Sequence, residues 1–196
     1  MATQPTIEDG AGTSFGALAD ENALLRASLA EMRERLEELE QLADTDTLTP
    51  LPNRRRFLRE LDRVVSHAAR HGTPAAVLYI DLNSLKRVND RHGHVGGDAA
   101  LIHIARLLQG LIRGTDVVAR IGGDEFGLIL DHLDHNSAIE TAERISRCIA
   151  ANPVDLGGAQ VPLQASIGVA TILPGDSAAD VMRRADRNMY LAKAEG

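Results

Sequence analysis

The sequence predicts an α+β fold, in which helices pack on an antiparallel-rich central sheet, preceded by an N-terminal coiled-coil helix. Two observations support the globular part. Helix-like and strand-like segments alternate after about residue 54, and a Gly-Gly pair at 122–123 lies between two apolar, β-prone runs. The third observation is a heptad pattern between residues 18 and 43, which is typical of a helix that pairs with another helix.

The composition excludes several classes of protein. A formal net charge of -7 argues against a nucleic-acid-binding surface, which needs clustered Lys and Arg. No apolar run approaches the roughly 18 residues of a membrane span, and the N-terminus lacks the features of a signal peptide. The single cysteine, Cys148, excludes an internal disulfide framework, as a reducing compartment favours. We therefore expect a soluble, cytoplasmic protein that binds neither nucleic acid nor membrane.

The N-terminal region is predicted to contain a tail and a helix. Residues 1–16 are polar and aperiodic, which predicts a disordered tail, whereas residues 17–44 carry an apolar seam in alternating steps of four and three. The seam residues are Leu18, Asn22, Leu25, Leu29, Met32, Leu36, Leu39 and Ala43. Asn22 at an a position and the attractive pairs Glu21–Arg26 and Arg35–Glu40 favour a parallel homodimer. The alternative is a single amphipathic helix lying on its own domain.

The globular domain is predicted to span residues 45–196. Two prolines and several cap-forming residues in the segment 44–53 end the preceding helix and join it to the domain. The predicted elements, in chain order, are a helix over 57–72, a buried strand over 75–82, a helix over 97–113, a hairpin with strands 117–121 and 126–130, a helix over 137–151, one or two strands over 160–172, and a helix over 178–194.

Gly122 and Gly123 are predicted to form the tight turn of the hairpin, since primed two-residue turns need a positive φ that glycine adopts at little cost. Asp124 and Glu125 would then lie at an exposed, rigid tip. Two carboxylates there suit a Mg²⁺ ion held against a substrate phosphate, because Mg²⁺ usually takes one or two protein carboxylates. The alternative is a solvated turn.

Asp81 ends the apolar run 75–82, and a carboxylate at the end of a buried strand costs stability unless a positive group pairs with it. If this strand lies beside the hairpin, Asp81 and either Asp124 or Glu125 converge on one or two metal ions. Such an arrangement suits in-line phosphoryl transfer. Lys86 and the backbone just after the strand could hold phosphates.

The segment 89–98 is polar and rich in glycine, so its side chains offer both hydrogen-bond donors and acceptors. Asn89, His94 and Asp98 together suit a guanine edge, which donates to a carboxylate and accepts from an amide. The alternative for Asn89 and Asp98 is helix capping, since Asp98 stands near a predicted helix start.

These motifs together resemble the GGDEF family of diguanylate cyclases, and the resemblance covers about residues 46–196. The motifs that carry it are Asp46-Thr47-Leu48-Thr49, Leu51, Asn53-Arg54-Arg55, Asp81, Lys86, Asn89, Gly93-His94, Gly97-Asp98, Arg120-Ile121-Gly122-Gly123-Asp124-Glu125-Phe126, Ser166-Ile167-Gly168-Val169-Ala170, Arg184-Ala185-Asp186, Met189-Tyr190 and Ala192-Lys193. The resemblance implies a palm-like nucleotide cyclase fold. It also implies condensation of two GTP molecules into cyclic di-GMP with release of two pyrophosphates.

The resemblance assigns roles residue by residue. Asp81, the Leu82 carbonyl and Glu125 would ligate Mg²⁺, with Mn²⁺ as an alternative, while Asp124 would also bind metal or help deprotonate the attacking hydroxyl. Guanine would be read by Asn89 and Asp98, with His94 close to the nucleotide. The remaining GTP-binding residues would be Ser84, Leu85, Lys86, Gly122, Gly123 and Lys193. Each domain supplies half of a site for two nucleotides, so two domains must face one another.

Arg113 and Asp116 match the family's R-x-x-D inhibitory motif, and Arg144 corresponds to a second arginine that joins such a site. Because Arg can grip a phosphate or stack on guanine and Asp can accept from guanine, these residues are predicted to bind the product. The alternative is an Arg-Asp contact that orders the turn before a strand.

Two departures from the family pattern concern the joint and the C-terminus. Pro50 stands where the family usually has glycine, which predicts a joint that is stiffer or differently bent. The sequence stops at Gly196, one residue before an arginine that in the family binds the GTP phosphates.

The main alternative function is a catalytically silent module that binds GTP or cyclic di-GMP and regulates a partner.

Overall fold

The computed structural model describes residues 21–22, 24–33, 35, 44–83 and 85–195. The chain divides into two compact units, Met1–Ala43 and Asp44–Gly196. In the first unit, residues 24–33 are helical, and the seam residues Leu25, Leu29 and Met32 are 57%, 54% and 67% exposed. The predicted tail and the seam positions 18, 36, 39 and 43 lie outside the described residues.

The second unit alternates helices and strands, as expected from the sequence. In chain order its elements are α1 (Arg54–His71), β1 (Ala75–Leu82), α2 (Leu85–Leu111), β2 (Val117–Arg120), β3 (Glu125–Asp131), α3 (His135–Ala151), β4 (Val154–Leu156), β5 (Ala159–Val161), β6 (Ala165–Thr171) and α4 (Ala178–Glu195). Within the described residues, no helix is long and apolar enough to cross a membrane.

The main sheet of the described domain has the order β2-β3-β1-β6, and every neighbouring pair is antiparallel. The predicted α+β class, with an antiparallel sheet flanked by helices, is therefore confirmed. All eight residues of β1 are buried. Because side chains alternate along a strand, Leu78 and Ile80 pack with α2 and α3, whereas Val77 and Tyr79 pack with α1 and α4.

Two glycines allow α1 and α4 to approach the sheet closely on either side of Tyr79. Gly127 and Gly168 are the residues opposite Tyr79 on β3 and β6. A Cβ atom on Gly127 would lie 2.7 Å from the ring of Phe57, and one on Gly168 would lie 2.1 Å from the carbonyl oxygen of Ala185. This packing brings the end of α4 to the carboxyl end of β1.

Two elements differ from the sequence prediction. The helix predicted from residue 97 begins at Leu85, and it is interrupted at Gly93, whose φ of 70° and ψ of 175° are not helical. A short hairpin, β4–β5, was not predicted in full. Its turn is Gly157-Gly158, with φ of 70° and 91°, as a two-residue primed turn requires.

Candidate active site

Asp81 and Glu125 face each other across β1 and β3, where they form the last pair of the strand register. Opposite residues in an antiparallel pair point to the same face of the sheet, so the two carboxylates lie on one side. Asp81 is 8% exposed. The backbone N–H of Leu82 donates to the carbonyl of Asp124 at 3.1 Å, which fixes the hairpin tip against the end of β1. The structure therefore brings the predicted metal ligands together.

The turn between β2 and β3 is not the primed two-residue turn that the sequence predicted. Neither Gly122 nor Gly123 has a positive φ. Instead, the N–H groups of Ile121 and Gly122 both donate to the carbonyl of Glu125, at 2.9 Å and 3.2 Å, which closes a longer loop. The prediction was wrong because the loop closes on Glu125 rather than around the two glycines.

Gly122 is needed for a different reason, which is the position of the Glu125 carboxylate. A Cβ atom on Gly122 would lie 2.0 Å from Oε2 of Glu125 and 2.9 Å from its carboxyl carbon. No heavy atom lies within 4 Å of the equivalent position on Gly123. The missing side chain at 122 thus leaves the space that the Glu125 carboxylate occupies.

Tyr79 is a site residue that the sequence analysis missed. It precedes Asp81 by two residues on β1, so both side chains point to the same face. Burial, followed by the hydrogen bond and negative charge of Glu125, raises the pKa of Tyr79. The neutral hydroxyl can therefore donate to Glu125. Because side chains alternate between the two faces of a strand, the position of Tyr79 two residues before Asp81 could have identified it.

Lys193 contacts the same group of carboxylates from the last helix. Its Nζ donates to Oδ1 of Asp81 at 2.5 Å, and this hydrogen bond raises the pKa of the lysine. Lys193 was predicted to hold the triphosphate, and in this structure its ammonium pairs with Asp81.

The donor set fits a Mg²⁺ ion that shares its coordination with a substrate. Among the described residues, no group of three or more His, Cys, Asp and Glu side chains could hold a metal ion. Two facing carboxylates are nevertheless what Mg²⁺ usually takes from a protein, because water and phosphate oxygens fill the other positions. Asp81, Glu125 and the Leu82 carbonyl at the strand end supply donors of this kind.

The predicted guanine-binding residues lie around the break in α2. The side chain of Asn89 lies against Gly97, where a Cβ atom would be 1.9 Å from Asn89 Oδ1. His94 and Asp98 are exposed beyond Gly93. Asp98 lies beyond the break at Gly93, within the second segment of α2 rather than at its first residue, so it is not the N-cap of that segment.

The segment after β1 begins α2 with Leu85 and Lys86, and Lys86 is exposed. N–H groups in the first turn of a helix can bind a phosphate. Ser84, which was predicted to take part, lies outside the described residues.

The carboxylate of Asp116 orders the turn before β2, as the structural alternative expected. Asp116 accepts from the backbone N–H of Arg113 at 3.0 Å and from that of Asp131 at 3.3 Å. The guanidinium of Arg113 takes no part in these two hydrogen bonds. Arg113 and Arg144 line one cavity of about 450 Å³, together with His132. The two predicted arginines therefore converge, and Arg113 also lines a neighbouring cavity together with Asp116.

Known proteins resemble this chain over most of its length. The family model "Diguanylate cyclase, GGDEF domain" matches residues 43–196. The diguanylate cyclase TpbB of Pseudomonas aeruginosa is 38% identical over 188 residues, which are 94% of this chain and 42% of TpbB. The response regulator PleD of Caulobacter vibrioides is 37% identical over 168 residues, covering 84% of this chain and 37% of PleD. The chain thus spans less than half the length of these relatives.

Two solved structures are similar to this chain over most of its length. The coiled coil and GGDEF domain of DgcB from Caulobacter crescentus, in complex with c-di-GMP, has a TM-score of 0.80 at 30% identity, covering 92% of this chain and 96% of that one. The diguanylate cyclase SiaD in complex with its activator SiaC, from Pseudomonas aeruginosa, has a TM-score of 0.75 at 29% identity, covering 94% and 78%.

Proposed function

Because the chain belongs to the GGDEF-domain family of diguanylate cyclases, we propose that it condenses two GTP molecules into cyclic di-GMP. The observation that carries this proposal is the facing pair Asp81 and Glu125 at the end of β1 and β3. In each half-reaction the 3'-hydroxyl oxygen of one GTP bonds to the α-phosphorus of the other. The bond from that phosphorus to the β-phosphate breaks, pyrophosphate leaves, and the hydroxyl proton passes to a base.

The proposed metal ligands are Asp81, the Leu82 carbonyl and Glu125, with Asp124 as a further ligand or as the group that helps to deprotonate the hydroxyl. Mg²⁺, or Mn²⁺, held there would neutralise charge on the triphosphate and the developing charge of the transfer. Tyr79 and Gly122 support this arrangement, because one offers a hydrogen bond to Glu125 and the other leaves room for its carboxylate.

Base recognition is assigned to the break in α2, and phosphate recognition to the start of α2, the β2–β3 loop and α4. Asn89 and Asp98 would bind the guanine edge, with His94 nearby. The contact of Asn89 with Gly97 supports this role, because it holds the amide next to Asp98. The phosphates would lie against Ser84, Leu85, Lys86, Gly122, Gly123 and Lys193.

A homodimer through a parallel coiled coil would bring two half-sites together. The exposure of Leu25, Leu29 and Met32 supports this proposal, since apolar seam residues need a partner to be buried. Leu29→Glu should therefore weaken dimers and lower turnover at nanomolar enzyme, whereas Ala27→Glu, on the outer side of the heptad, should not. Equal turnover and equal dimer content in both variants would contradict the proposed coiled-coil homodimer.

Product inhibition would use Arg113, Asp116 and Arg144. The cavity shared by the two arginines supports product inhibition, because two guanidinium groups around one space suit the phosphates of a cyclic dinucleotide.

We also propose a cytoplasmic location, where a reducing environment suits the free thiol of Cys148.

The experiment that tests the activity is incubation with GTP and Mg²⁺, followed by chromatographic separation of the nucleotides. The parent should form cyclic di-GMP and Asp124→Ala should not. Asp62→Ala, which removes an exposed carboxylate from α1, is the matched control and should keep the activity. A folded parent that binds GTP without forming product would instead be a regulatory binding module.

A further inference from the structure

Lys193 and Asp81 form an ion pair at the end of β1. The Nζ atom lies 2.5 Å from Oδ1 of Asp81, and the side chains are 43% and 11% exposed respectively. The lysine reaches this position from the last turn of α4, which lies against β6 because Gly168 has no side chain. The ammonium thus supplies the positive charge that a nearly buried carboxylate requires.

Resting on the proposed function, we propose that Lys193 is the counter-ion of Asp81 in the free protein and moves to the substrate's phosphates when a divalent cation takes its place. A metal ion bound to the Asp81 carboxylate would lie close to the Lys193 ammonium, and the two positive charges would repel each other. A metal ion that arrives alone therefore binds against this repulsion and weakens the ion pair. A metal ion that arrives with a triphosphate gives the lysine a new partner, because the phosphates are negatively charged.

The surrounding charges explain why the lysine matters. The negative charges of Asp124 and Glu125 also act on the Lys193 ammonium. Three carboxylates thus share one lysine at the end of the sheet. With the lysine charge removed, the same three carboxylates attract a divalent cation more strongly, because repulsion between the two cations is gone. The lysine therefore favours joint entry of metal and nucleotide over entry of the metal alone.

The test is a titration of the full chain with Mn²⁺ alone, in which unbound Mn²⁺ is measured by electron paramagnetic resonance. Lys193→Met should bind Mn²⁺ about tenfold more tightly than the parent. Lys193→Arg, which keeps the charge, should resemble the parent. Arg187→Met removes an exposed positive charge from the same helix and should also resemble the parent. Circular dichroism at each condition checks that the variants are folded.

A second titration uses a GTP analogue with a methylene group between the α- and β-phosphates, in the presence of Mn²⁺. Lys193→Met should bind this analogue more weakly than the parent, so the two titrations change in opposite directions. Equal Mn²⁺ affinity of parent and Lys193→Met would overturn the counter-ion role while leaving the cyclase proposal intact. If the parent binds neither the analogue nor GTP, the proposed function itself fails.

Discussion

Arg120 joins Asp46 to the tip of the β2–β3 hairpin. Its Nη1 donates to Oδ1 of Asp46 at 3.1 Å, and its Nη2 donates to the carbonyl of Gly123 at 2.7 Å. Asp46 in turn accepts from the N–H and hydroxyl of Thr49 at 2.8 Å each. The turn that precedes α1 is therefore connected through one side chain to the loop that carries Asp124 and Glu125.

Replacing Arg120 should reduce turnover more than stability. We expect Arg120→Lys to lower the rate of cyclic di-GMP formation about tenfold to a hundredfold, because lysine cannot donate to both partners in the fork geometry of arginine. Turnover and melting temperature are measured together. Arg183→Lys, at an exposed ion pair with Asp180, is the control and should change neither. An unchanged rate in Arg120→Lys would show that the connection does not position the loop.

Gly122→Ala should displace the Glu125 carboxylate and so separate it from Asp81. The added Cβ atom would meet Oε2 at 2.0 Å, and the side chain must rotate away. We expect a loss of turnover of about a hundredfold. Gly110→Ala places a methyl group where no heavy atom lies within 4 Å, and turnover there should stay at the parental level. Comparable rates in the two variants would contradict the proposed role of Gly122.

Asp98→Ala should loosen the choice of base. A carboxylate that accepts from guanine discriminates against adenine, and its loss should reduce the GTP-to-ATP ratio of kcat/KM about tenfold or more. Competition between the two nucleotides gives this ratio directly. Asp90→Ala, an exposed carboxylate in the same segment, is the control. If Asp98→Ala and Asp90→Ala give the same ratio, Asp98 does not read the base.

Arg113→Ala should relieve inhibition by cyclic di-GMP. The guanidinium lines the cavity that Arg144 shares, whereas the turn is held by the backbone N–H of Arg113, which the substitution retains. We therefore expect an inhibition constant raised about tenfold or more with little change in initial rate. Arg147→Ala, at an exposed pair with Glu143, is the control. Inhibition of Arg113→Ala at the parental concentration would place the inhibitory site elsewhere.

Asp44 should stabilise the domain in a pH-dependent manner. Its hydrogen bonds from Arg59 and Arg55 lower its pKa from 3.8 to about 2. A lowered pKa stabilises the folded state above the unfolded pKa and ceases to do so as the pH falls through the folded value. Asp44→Asn should therefore melt at a lower temperature than the parent above pH 4, and the difference should shrink between pH 4 and pH 2. A difference that does not change over this interval would exclude the ion pairs as its cause.

The Gly-Gly pairs at 122–123 and 157–158 show what sequence patterns could and could not predict. Both lie between β-prone runs, yet only Gly157-Gly158 forms a primed turn. The hairpin around 122–123 was predicted correctly, but its turn depends on the space taken by Glu125. Asp81 and Glu125 could be predicted as site residues because each belongs to a local sequence pattern. Asp81 ends an apolar run, and Glu125 follows the Gly-Gly pair closely. The contact of Lys193 with Asp81 spans 112 residues and depends on how α4 packs on the sheet, so no local pattern predicts it.

The interruption of α2 at Gly93 divides one helix into two segments with different structural roles. The longer segment carries the core residues Leu101, Ile104 and Leu108, and substitutions there affect folding. In the segment 85–92 four side chains are exposed, three are half-buried and Val88 is buried. Because a non-helical residue separates the two, the first segment need not follow the helical register of the second. The proposed guanine contact Asn89 and the core residues of the second segment can therefore vary separately, during evolution or by redesign.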